Sequence, residues 1–259
     1  MLRKAATSLL TATTACAAGS YLYAKDFQEV PVEFNKEHYG DKGPNARFLK
    51  PDAIKHFAGG PNGGGGRFED TEVRDIARAK EPLAGVLTKY NIGEGDTVVD
   101  VGAGTGLFLD VFSKLVGESG RVHAVEIIPK FVHHMQMRVN REKIQNVSVS
   151  RCTPKSTNLE EKIADAAFIC DVYHHFEYPI SFMRSVHRTL KDDGIVVVVD
   201  FHRDPTKLKT RDPKWALVHV RAGQEVFLEE IESAGFELIE DIYIEELTDN
   251  YCMVFAKKL

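Results

Sequence analysis

The chain has 259 residues, 43% of them apolar, enough for one large domain with a tail. A formal charge of -5 leaves no basic surplus of the kind that marks a nucleic-acid partner. The four cysteines, Cys16, Cys152, Cys170 and Cys252, are scattered without a CxxC pair, which argues against a zinc cluster and a disulfide framework.

Residues 1–25 hold Arg3, Lys4 and Lys25, no acid, and many Ala, Thr and Ser. That composition predicts a mitochondrial presequence. A secretory signal cleaved near Ala15-Cys16-Ala17, and a membrane anchor of marginal length, are the competing readings. Residues 26–70 form an irregular extension rich in charge, Pro and Gly. Its GGPNGGGG run (59–66) predicts a solvated linker or a lid, while Phe48 and Leu49 predict docking onto the domain that follows.

From residue 71 to 259 the pattern is that of one domain. TEVRDIARAKEPLAGVLTKY carries a helical apolar stripe that Pro82 is placed to kink. Strand-like and helix-like stretches then alternate: TVVDVG, TGLFLDVFSKLV, RVHAVEI, PKFVHHMQMRVNRE, NVSVS, DAAFICDV, ISFMRSVHRTL and GIVVVVDF. Such alternation predicts an α/β fold, a doubly wound and mostly parallel sheet with helices on both faces. After helix GQEVFLEEIESAG, strands FELIEDIYIE and NYCMVFAKK are separated by a short turn, which predicts an antiparallel C-terminal hairpin. No run of membrane length interrupts the domain.

The chemistry concentrates in VVDVGAGTG (98–106). Gly102, Gly104 and Gly106 occupy a strand-to-helix turn, where doubly wound folds hold nucleotide-like ligands. The dinucleotide fingerprint GxGxxG is not met, because position 107 is Leu. Asp100, two residues before the first glycine, would repel a pyrophosphate and suits an ammonium or sulfonium cation. Glu126 ends the second strand 24 residues after Gly102, placed for a bidentate hydrogen bond to a ribose diol.

These residues resemble motif I and its acidic partner in the class I S-adenosylmethionine-dependent methyltransferases, over about residues 71–259. The resemblance implies a seven-stranded Rossmann-like sheet and S-adenosylmethionine as cofactor. It implies that Asp100, Gly102, Ala103, Gly104 and Gly106 pack against the methionine portion. Glu126 with Ile127 would hold the ribose, and Asp171 would lie beside the reacting methyl. Thr153 is assigned at the third turn, although RCTPK lacks the acid that often follows that strand. NARFL, DVYHHFEYP, DFHRDP and HVRAGQEVF also resemble a narrower group of methyltransferases whose acceptors the resemblance does not supply.

A sulfonium methyl is already activated, so a base is needed only for a hydroxyl or a protonated amine. Tyr173, His174 and His202 are the catalytic candidates, with His175, Arg203, His219 and Arg221 nearby in sequence or at matching strand ends. His174 is equally readable as a positioning residue. The loop lacks the NPPY-type sequence of relatives that methylate adenine or glutamine amides, which leaves a small molecule or a protein as acceptor. His133-His134 and His174-His175 are not read as a metal site, because adjacent helical residues point apart. A non-catalytic assembly protein and a nicotinamide-dependent dehydrogenase are the alternative functions. The second wants GxGxxG and no Asp100.

Overall fold

Runs rich in β-branched, alanine and aromatic residues form seven strands, Thr97–Val101 (β1), Arg121–Glu126 (β2), Val147–Arg151 (β3), Ala164–Cys170 (β4), Leu190–Phe201 (β5), Phe236–Ile242 (β6) and Asn250–Lys257 (β7). They come from a computed structural model, which describes residues 43–59, 66–71 and 74–258. The expectations for residues 1–25 and most of the glycine run lie outside the described residues.

The strand order is β3-β2-β1-β4-β5-β7-β6. Strands β1 to β5 pair in parallel, and β7 is antiparallel to both β5 and β6. The C-terminal hairpin therefore inserts its second strand beside β5 and leaves β6 at the edge, where alternate residues face outward. Strand alternation divides the core. Val197 and Val199 of β5 join Val98, Phe112 and Phe168 on one face. Val196 and Val198 join Val99, Ile169, Met183 and Phe227 on the other.

Helices cover both faces: Lys80–Lys89 (α3), Leu109–Val116 (α4), Pro129–Glu142 (α5), Pro179–Thr189 (α6), Pro213–His219 (α7) and Gln224–Ser233 (α8). Proline opens α5, α6 and α7 at a position where its missing N–H has no helical partner to lose. Upstream of α3 lie Ala53–Ala58 (α1) and Asp75–Arg78 (α2).

Three local expectations change. The single helix expected over 71–90 divides at Ala79 into α2 and α3, with Pro82 inside the first turn of α3, so it opens that helix and kinks nothing. The helix expected from Thr105 begins at Leu109, because the glycine turn must finish first. The stretch Asp192-Asp193-Gly194, between ISFMRSVHRTL and GIVVVVDF, is a bulge within β5: Leu190 pairs with Ala164, and the next pair is Ile195 with Ala166.

The extension docks through aromatics. Phe48, from the turn Pro44–Leu49, and Phe57 of α1 cluster with Phe68 and with Phe131 at the start of α5. This third cluster sits over the carboxyl ends of the strands, and it brings residues distant in sequence to the glycine turn.

Candidate functional site

Strands β1 and β4 are neighbours, yet the chain leaves them toward opposite sides of the sheet, to β2 and to β5. Such a switch in strand order opens a crevice at the carboxyl ends. A cavity of about 570 Å³ lies there, within the roughly 300–1,000 Å³ of small-ligand sites. Asp100, Gly102, Ala103 and Gly104 line it from β1, Glu126 and Ile127 from β2, Thr153 from β3, and Asp171 from β4. Gly106 does not reach its wall. Phe48 and Phe68 of the extension contribute to the same lining.

The glycine turn has a backbone reason. Gly102, Gly104 and Gly106 have φ of +66°, +58° and +89°, a region L side chains adopt rarely. A Cβ on Gly102 would meet Val172 at 2.5 Å, whereas one on Gly104 would meet the Phe68 ring at 3.3 Å. The close approach to this turn is thus made partly by the protein's own Val172 and Phe68.

Two acids stand beneath that turn. Glu126 is buried, and its carboxylate accepts the Gly104 N–H and the Ile128 N–H, each at 2.9 Å. It ties the end of β2 to the glycine turn. Burial raises its pKa, against the pull of those backbone donors. Asp100 is 2% exposed, and its Oδ2 is buried with no hydrogen-bond partner among the described residues. Burial, followed by the charge of Glu126, pushes its pKa up to about 7. A buried carboxylate oxygen without a donor is costly, and a bound cation would relieve it.

Asp171 differs from both. It adopts φ +53° and its carboxylate receives Arg74 on one oxygen and the Asn250 amide on the other at 2.6 Å. Burial raises its pKa while Arg74 lowers it.

Residues 99–198 match the family described as a methyltransferase domain. The chain is 30% identical over 117 residues to a protein-L-isoaspartate O-methyltransferase of Fervidobacterium nodosum, covering 45% of this chain and 56% of that one. It is 31% identical over 125 residues to a ubiquinone/menaquinone biosynthesis C-methyltransferase of Klebsiella pneumoniae, covering 43% and 45%. The chain thus spans about half the length of these curated relatives. A SAM-dependent methyltransferase from Aquifex aeolicus superposes with a TM-score of 0.61 at 24% identity, over 73% of this chain and 96% of that one, which speaks for the fold. Residues 99–198 thus form a methyltransferase domain, on the fold of an S-adenosylmethionine-dependent methyltransferase. The nicotinamide-dependent reading falls with that match.

The methyltransferase cavity suits such a cofactor: a buried acid with an unpartnered oxygen at the glycine turn, and a second acid one strand away. The catalytic candidates separate in space. Tyr173 is fully buried, packs on Phe227 and Phe176 in the second core face, and lines no described cavity. His202 packs on Tyr251 and also lies outside the cavity lining. His174 is 1% exposed, with Nδ1 2.7 Å from Asp200 Oδ1 and its backbone N–H donated to Asp200 Oδ2 at 3.0 Å. Arg203 reaches the Val220 and Leu217 carbonyls at the end of α7, and Arg221 pairs with Glu230 at 2.7 and 2.5 Å.

The geometric reason against a histidine cluster fails for His174-His175. They lie on a 3-10 turn rather than a helix, their ring centroids are 4.0 Å apart, and one nitrogen each from His174, His175 and His219 lies within 4.8 Å of the others. His133 and His134 do point apart, one exposed and one buried. The cysteines describe buried or half-buried free thiols, Cys152, Cys170 and Cys252.

Sequence reasoning passed over Asp200, Arg47, Phe68, Arg74 and Asn250. Asp200 alone had a local signal, since a lone acid closing VVVVDF repeats the pattern of Asp100 in VVDVG. The others meet the site only through the docking of the extension, the start of α2 and the C-terminal hairpin.

Proposed function

We propose that this protein transfers a methyl group from S-adenosylmethionine to an acceptor that enters beside Asp171. The observation that carries the reading is the unpartnered, buried Asp100 oxygen, lining one cavity with Glu126 and the glycine turn. In this reading Asp100 faces the cationic end of the cofactor, and Glu126, whose oxygens keep lone pairs beyond the two backbone bonds, holds the ribose. When bound, the cofactor supplies a methyl on a cationic sulfur, activated before any protein group acts. Phe48 and Phe68 close the lining and keep water away. His174, with Nδ1 held by Asp200, is oriented to take a proton from an acceptor hydroxyl or ammonium at Nε2, as in a carboxylate-oriented imidazole base.

Residues 1–25 we read as a mitochondrial presequence, residues 26–70 as an extension and 71–259 as the methyltransferase domain. Acid-free composition supports the first, and the docked aromatics support an extension that completes the site.

The test joins binding to turnover. Calorimetry should show S-adenosylhomocysteine bound and NAD unbound, and methyl-labelled S-adenosylmethionine should label one fraction of a lysate. Binding without label in any fraction, together with stoichiometric co-purification of one partner, would return the protein to the assembly reading.

A further inference from the structure

Beyond Asp171 the cavity adjoins a second, smaller one of about 50 Å³, and its walls differ in charge. Arg47, Arg67, Arg74 and Arg211 line it, together with His174, His175 and His219. The Nε atoms of Arg47 and Arg211 are buried with no hydrogen-bond partner among the described residues. Arg47 lies over the Phe48 ring at 4.8 Å, and Arg211 over Phe201 at 4.6 Å and Trp215 at 4.7 Å. These guanidiniums are therefore held in place by ring faces, with polar edges to spare.

The acids nearby are already engaged. Asp171 holds Arg74, Asp200 holds His174, and Asp249 accepts from the backbone N–H of Lys209 and Thr210. Arg47, Arg67 and Arg211 form no ion pair of their own among the described residues, although Asp171, Asp75 and Asp249 act on Arg211 through space. Burial and then the charges of Arg67, Arg74 and Arg211 lower the Arg47 pKa to about 10.

The three imidazoles invite a metal ion, but the surroundings oppose it. Among the described residues no carboxylate joins their set, and Arg47 donates to His219 Nε2 at 3.3 Å. A cation there would sit against three guanidiniums. An oxyanion meets the same groups favourably, since arginine forks match carboxylate and phosphate.

Volume sets the size of what enters. A cavity of about 50 Å³ holds a head group and not a whole molecule. Phe48, Phe68, Arg74, Asp171 and His175 line both cavities, so a molecule anchored in one extends into the other.

We infer that the methyl acceptor is a small acid whose carboxylate or phosphate head sits among Arg47, Arg67 and Arg211, with its body in the large cavity beside Asp171. The inference rests on the methyl-transfer reading for the word acceptor, while the oxyanion site itself can be measured without turnover. Trp215, the only tryptophan, lies on this site, stacked with His219 at 4.5 Å and under Arg211. Its emission reports occupancy.

The experiment titrates the full chain, saturated with S-adenosylhomocysteine, with inorganic phosphate, benzoate or zinc chloride while following Trp215 emission. A saturable response to phosphate or to benzoate is expected, and which one is tighter names the head group. Arg47→Gln with Arg211→Gln should weaken that midpoint roughly tenfold or more. Should the double variant fail to fold, the exposed Arg67→Gln should still weaken it roughly three- to fivefold. Response to zinc alone, response to neither oxyanion, or an unchanged midpoint in the folded variants overturns the site. Absence of S-adenosylhomocysteine binding overturns the parent reading instead, and leaves the oxyanion titration to be read by itself.

Discussion

The two cavities share a wall and oppose each other in charge. The larger one is floored by acids, Asp100 and Glu126, that burial drives toward the protonated form; the smaller is walled by arginines that burial drives the other way. Between them stands Asp171, whose charge Arg74 already meets. One sheet edge thus offers a compartment complementary to a cation next to one complementary to an anion. The lesson is that a fold shared with many methyltransferases leaves the first compartment nearly general and lets loops and extensions build the second.

The sharpest way to break the comparison is His174, in the wall of the smaller cavity. With His174→Ala, turnover should fall roughly 10²–10⁴-fold while S-adenosylhomocysteine affinity stays nearly intact, if it takes a proton. Weaker binding with a smaller kinetic loss would make it a positioning residue. Full turnover from about pH 6 to 9 would pass the role to His219, which lines the same cavity.

A second break strikes the floor. Gly102→Ala puts a Cβ 2.5 Å from Val172 at φ +66°. Strain and overpacking together should destabilise the fold by about 2–5 kcal/mol, read by denaturant unfolding. An unchanged midpoint would show that the turn relaxes freely.

Glu126→Ala removes the proposed ribose ligand and also frees the N–H groups of Gly104 and Ile128. S-adenosylmethionine affinity should drop more than tenfold by calorimetry. Unchanged affinity in a folded variant would confine Glu126 to holding the turn.

Asp100 sharpens the electrostatic half of the comparison. Its folded pKa of about 7 stands above the ordinary 3.8. Raised by burial, it contributes stability that is full below about pH 4 and lost as pH rises through about 7. A cation binds the ionised form, so S-adenosylmethionine affinity should rise with pH, roughly tenfold from about pH 6 to 8. Asp100→Asn should flatten that profile; a profile that persists in the variant assigns the titration elsewhere.

The smallest structural change tests the part outside the described residues. Replacing Arg3 and Lys4 with glutamate should leave a fluorescent fusion in the cytosol, if residues 1–25 are a presequence. A fusion of the wild-type segment that enters the secretory pathway would refute it.

Much of this was legible in local order. Strand and helix periods announced the sheet with helices on both faces, and turn chemistry marked Gly102, Gly104 and Gly106, because positive φ is a local demand that glycine meets. Lone acids in apolar strands marked Asp100, and by the same rule Asp200 could have been read. Local order also misled: adjacency made His174 and His175 look divergent, when a 3-10 turn sets their rings together.

What only the tertiary structure decided is the company each group keeps. Arg47 reaches His219 across 172 positions, Arg74 reaches Asp171 across 97, and Asn250 reaches Asp171 across 79. No period or spacing encodes such pairs, because they arise where an extension and a hairpin close over the same sheet edge. The sequence by itself determined that a glycine turn follows a lone strand acid, through bonds and torsions set within a few residues. The arginine compartment beside it depends on burial and charge summed over segments that meet only when folded.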